Sequence, residues 1–180
     1  MISGPPFCLS IYSYDMKNNI EQLASSYLMS LAKTEERRRH WNEKVKPLAF
    51  QFFTNIAAQF PLPWKAGVNE TIENLEAVFI ALEHTASGIA ERGPFNLVHK
   101  LKAGAFLSLS QNRNGQVVVW MQFPFVEGLD EEGAKKETFE TIEPEEVDAA
   151  LLTHSVEKFL SELITWEDDA RDEIGFMRKH

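Results

Sequence analysis

The chain contains one cysteine, Cys8, so no disulfide can close within it. Small exported domains usually carry paired cysteines, and the reading that follows is a reducing, cytoplasmic setting. Long apolar runs are missing too. No stretch reaches the roughly 18–20 residues that a membrane helix needs, and no basic segment followed by an apolar one opens the chain. Neither membrane insertion nor export is expected.

Signatures for bound groups are equally scarce. The segments GIAERG and EGLDEEG contain glycine but match neither the dinucleotide nor the phosphate-loop pattern. Histidines stand at positions 40, 84, 99, 154 and 180, without HExxH or repeated ExxH spacing. WEDDARDE, residues 166–173, gathers carboxylates but lacks the alternating ligands and central glycine of an EF-hand. The sequence therefore predicts no cofactor and no metal.

What is present suits one globular domain. A chain of 180 residues with 44% hydrophobic residues can bury a full core without a staple. The first fifteen residues, MISGPPFCLSIYSYD, contain Gly4, Pro5 and Pro6, no cation and no helical period. They read as a flexible arm, as an edge strand over LSIYSY, or as an extension upstream of a working initiator at Met16. The domain proper is placed at residues 16–180.

Apolar residues recur at helical steps through Ile20, Leu23, Tyr27 and Leu31, then Trp41, Val45, Leu48, Phe52 and Ile56. Pro47 disturbs this run near residues 43–47, so a long bent helix and a helical hairpin both satisfy the pattern. FPLPWKAG, residues 60–67, ends it. Residues 70–92 fit a helix through Ile72, Leu75, Phe79, Leu82 and Ile89, or a buried strand over AVFIALEHT.

The clearest local signal is LKAGAFLSLS joined by QNRNG to QVVVWMQF, a β-hairpin over about residues 100–125. Leu101, Ala103, Ala105, Leu107 and Leu109 are expected on one face. The opposite face carries Phe106, Val118 and Trp120 and should be partly covered, by a helix, the N-terminal arm or a partner chain. ETFETI suggests a further strand. Pro144 is expected at the first position of a last helix buried through Leu152, Val156, Phe159, Leu163 and Trp166. The fold class predicted is α+β: an antiparallel sheet of three to five strands packed against N-terminal amphipathic helices and a C-terminal helix.

Charge is distributed unevenly. Residues 33–46 hold six Lys or Arg against three Glu, whereas residues 127–173 hold seventeen acidic against four basic residues. With a net charge of −9, the chain repels nucleic acid at long range. The run TEERRRHWNEK then reads as a solvated helix face with a Glu35–Arg39 pair, as a grip on the acidic C-terminal region, or as an RNA contact through Arg37, Arg38, Arg39 and Trp41.

Two functional expectations follow. The first is a non-enzymatic protein-interaction module with an acidic surface, engaging a protein partner or a second copy through Phe106, Val118 and Trp120 and the arginines 37–39. Nucleic acid and membrane are not expected partners. The second is a small hydrolase or ligand-binding enzyme whose pocket gathers Glu83, His84 and His99 as an acid–base group.

Overall fold

A computed structural model describes residues 9–129 and 134–168, with side chains from residue 18 onward. One helical run opens it: α1 (Leu9–His40), a π-helical turn (Trp41–Val45) and α2 (Lys46–Gln59). Of the two arrangements compatible with the sequence, the continuous helix is the one formed. Pro47 explains the turn. Its ring crowds the carbonyl four residues back, and the wider π turn, with the Lys46 N–H donating to the Trp41 carbonyl, relieves that contact. The helix reaches back to Leu9 through the stretch expected to be non-helical, and residues 1–8 lie outside the described residues.

Eight strands follow: β1 (Trp64–Asn69), β2 (Ala77–Leu82), β3 (Thr85–Arg92), β4 (Leu97–Ala103), β5 (Phe106–Gln111), β6 (Val117–Gln122), β7 (Phe125–Val126) and β8 (Lys136–Ile142). They form an antiparallel five-stranded sheet ordered β1-β2-β5-β6-β8 and a three-stranded sheet ordered β3-β4-β7. A 3-10 turn (Pro144–Glu146) leads to α3 (Ala149–Asp168). The fold is α+β.

The core lies between the larger sheet and the helices. Alternate residues Val78 and Ile80, Leu107 and Leu109, and Val117, Val119 and Met121 are fully buried, as period-two strands require. Trp41, Val45, Ala49 and Phe53 meet them from the first helical run, and Leu152, Val156, Phe159 and Leu163 from α3. Each buried apolar side chain of this size contributes about 1.5–3 kcal/mol.

One open alternative is resolved and two expectations are corrected. Of the helix and the strand that residues 70–92 both fitted, strands form, at Ala77–Leu82 and Thr85–Arg92, and Val78 and Ile80 fill the sheet core that a helical stripe would break. Pro144 opens the 3-10 turn, not α3. Val147 is extended, and α3 begins after Asp148, whose Oδ1 accepts the Leu151 N–H at 2.8 Å. The hairpin also has a different extent. β5 pairs with β6, but the segment before Gly104 pairs with β3 and β7, so Leu101, 51% exposed, does not share the core face with Leu107.

The loop joining β5 to β6 explains the Asn-Gly signal. Gly115 adopts φ +84°, and a side chain there would also lie 2.8 Å from the Arg37 Cβ of α1. The glycine thus serves both the turn and the close approach of the helix. Beyond that contact α1 continues past the end of the sheet.

Candidate docking site

The carboxylate of Glu143 holds α1 to the body. Arg37 donates to it from Nε at 2.6 Å and from Nη2 at 2.5 Å, and Lys33 adds a contact at 3.3 Å. Arg37 is buried and also donates to the Asn114 carbonyl. The basic run therefore grips the acidic C-terminal region within one chain. Its neighbours divide: Arg38 donates to the Arg113 carbonyl, and the exposed Arg39 pairs with Glu36 rather than Glu35.

Hydrogen bonding from Arg37, with Lys33 adding to it and burial opposing it, lowers the Glu143 pKa from 4.5 to about 2. A depressed carboxylate pKa contributes stability that is fully present above 4.5 and disappears as pH falls through about 2. Urea midpoints of the wild type and Glu143→Gln should accordingly differ by a constant amount above pH 4.5 and converge toward pH 2. A gap unchanged by pH would refute the pairing.

Phe106, Val118 and Trp120 lie on the sheet face opposite the helices, half-buried and outside the core cluster. Phe106 meets Trp120 edge-on at 5.0 Å between ring centres and Phe79 at 6.5 Å, while the Trp120 indole N–H donates to Ser110 Oγ at 2.8 Å and Lys136 Nζ lies 5.5 Å from the Trp120 ring. Phe79, Phe106 and Trp120 thus form an aromatic cluster on this face.

Glu83 and His84 occupy the junction of β2 and β3, and His99 stands on β4; all three are exposed. His84 Nδ1 accepts the Gly104 N–H at 3.0 Å, so one ring nitrogen serves the strand crossing. Because Thr85 is opposite Lys102, His99 lies about 13 Å of strand further along the ladder. The fold does not gather the three residues. Among the described residues, no three His, Cys, Asp or Glu side chains are grouped to hold a metal.

An apolar cleft forms elsewhere. It is lined by α2, by the segment that follows it and by α3. Phe52, Ile56 and Phe60 line it at four-residue steps, followed by Pro61, Leu62 and Trp64; from α3 come Thr153, Val156, Glu157 and Leu160. Its volume is about 430 Å³. Polar groups in the wall are already engaged: the Thr153 hydroxyl donates to the Ala149 carbonyl and the Trp64 indole N–H to the Phe60 carbonyl.

Nothing known matches the chain: no family model, curated protein or solved structure does. The cleft must be judged on its own chemistry. One charged residue, the exposed Glu157, stands in its lining, and α2 carries no charge after Lys46. Exposed Phe60 and Leu62 extend the apolar surface at the mouth, and exposed Ile164 lies one turn beyond Leu160 on α3. The sequence carried one sign of this site, the proline-interrupted apolar run FPLPW, which cannot continue the helix yet remains apolar.

Proposed function

We propose that this protein is a non-enzymatic, cytoplasmic interaction module that takes an amphipathic helix of a partner protein into the cleft between α2 and α3. The observation carrying this reading is the cleft itself, an apolar trough of about 430 Å³ between two helices with a single charge in its lining. Grooves of that form recognise helices through side chains at three- and four-residue spacing. The ten lining residues include eight apolar ones, so the partner contributes an apolar stripe. Glu157 selects a cation beside that stripe, and the net charge of −9 steers basic partners toward the surface. The lone cysteine supports the cytoplasmic setting, and among the described residues no helix is long and apolar enough to cross a membrane.

A synthetic helical peptide of leucine and lysine, with leucines at i, i+3, i+4 and i+7, is the appropriate probe, read by titration calorimetry. The expected result is saturable binding that weakens about tenfold in Glu157→Lys. Equal binding of a leucine–glutamate peptide would sink the charge preference. Undiminished binding to Ile56→Asp would place the peptide outside the cleft and overturn the reading, as would displacement of every peptide by palmitate at equal concentration, which would make the cleft an acyl-chain site.

A further inference from the structure

Residues 18–32 of α1 are all exposed and largely apolar. After leaving the body at Thr34 and Arg37, the helix exposes Ile20, Leu23, Tyr27 and Leu28 at 62–65% and Leu31 at 44%. A helix surrounded by water usually carries solvating charges on all sides. Residues 18–32 contain a single charge, Glu21. Charge depletion of this kind marks the centre of protein interfaces rather than free surface. Helices are also held mainly by packing of an apolar face, and this face has no counterpart among the described residues.

Spacing identifies what the face fits. Ile20, Ala24 and Leu28 form one four-residue row, and Leu23, Tyr27 and Leu31 form the adjacent one. Two such rows are the ridges that interdigitate when helices cross at about −50°. The set is also symmetric about the point between Ser25 and Ser26. An antiparallel copy would place Ile20 against Leu31, Leu23 against Leu28, and the small Ala24 against the large Tyr27, each contact made twice. A two-fold interface requires this self-complementarity.

We infer that the protein self-associates through α1, which crosses α1 of a second copy in antiparallel orientation about a two-fold axis at residues 25 and 26. The crossing lies about 13 Å along the helix from Thr34, which leaves the helix free to receive its partner before either body begins. Six side chains per copy bury less than the roughly 800 Å² per partner of a tight complex, so dimerisation is concentration-dependent. With one charge in the window the contact holds no ion pair for salt to weaken, while the net charge of −9 on each copy opposes association until salt screens it. This surface is separate from the α2–α3 cleft, and the inference does not rest on the cleft's occupant.

Sedimentation over a concentration series tests it. The full chain is expected to pass from monomer to dimer, and to do so in high salt at no higher a concentration than in low salt. Leu23→Lys/Leu28→Lys and Leu23→Glu/Leu28→Glu should each remain monomeric, while an equimolar mixture of the two should form a one-to-one dimer. An unchanged urea unfolding midpoint and retained binding of the leucine–lysine peptide report that the body is intact in these variants. A wild type that is monomeric throughout would overturn the inference. So would a dimer that survives Leu23→Lys/Leu28→Lys, and loss of that dimer in Thr153→Trp would then assign self-association to the cleft.

Discussion

Gly104→Ala should lower stability by about 3 kcal/mol, seen as a fall of roughly 6–12 °C in Tm. A Cβ at this position would overlap the Leu82 carbonyl oxygen and lie 2.6 Å from its carbon and 2.8 Å from the Glu83 carbonyl oxygen. All three atoms are backbone, so no rotamer change relieves the clash. They also belong to the crossing where β2 passes into β3 and β4 into β5, held by the Leu82 N–H donating to Ala105 and the Gly104 N–H donating to His84. The comparison is Gly67, where a Cβ would meet the end of the Phe79 ring, which can turn aside. Gly67→Ala should therefore be much milder. Thermal unfolding of both variants checks the account, and equal losses would contradict it.

Glu76→Ala should cost about 2 kcal/mol, because it strands the buried Trp41 indole N–H and removes the nearer of the two carboxylates that the half-buried Lys46 meets, leaving it only Glu70 at 3.0 Å. The Glu76 carboxylate accepts from the indole N–H of the fully buried Trp41 at 3.1 Å and from Lys46 Nζ at 2.8 Å. Burial alone would raise the pKa of this carboxyl, but the Lys46 and Trp41 hydrogen bonds outweigh it and the net direction is down. The Lys46 pKa moves up, first through its hydrogen bond to Glu76. Glu76→Gln keeps an acceptor for the indole and should lose less than half as much. Since Trp41 and Lys46 flank the π turn, this group fixes the direction in which the helical run leaves the sheet. Urea unfolding of the two variants would expose an error if glutamine proved as harmful as alanine.

These positions show where the sequence was informative and where it fell silent. Asn114-Gly115 announced the β5–β6 turn because the positive φ of Gly115 is a local requirement. The α3 stripe was readable for the same reason: Leu152, Val156, Phe159 and Leu163 keep one helical period against one sheet. Residues 77–92 were ambiguous, since a short apolar run satisfies both periods until a neighbouring strand selects one. Gly104 gave no sign that the alternation would shift there, because the shift depends on a carbonyl more than twenty residues away in sequence.

The cleft was hidden for a related reason. Phe52 and Ile56 read as core positions of one helix and Val156 as a core position of another, while Leu160 fell outside the stripe. That residues of the two helices line a common cleft is a tertiary fact with no periodic signature. By contrast, Phe106, Val118 and Trp120 stood out in the sequence as apolar residues on the wrong face of a strand, and in the fold all three are half-buried with Phe106 packed against Trp120.

Hydrogen exchange of the full chain, with and without the leucine–lysine peptide, tests the central claim most directly. The account predicts added protection along α2 from Phe52 and along α3 from Thr153 to Leu160, with β5 and β6 unchanged. Protection concentrated at Phe106 and Trp120, with the two helices unaffected, would contradict it and move the docking site to the opposite face of the sheet.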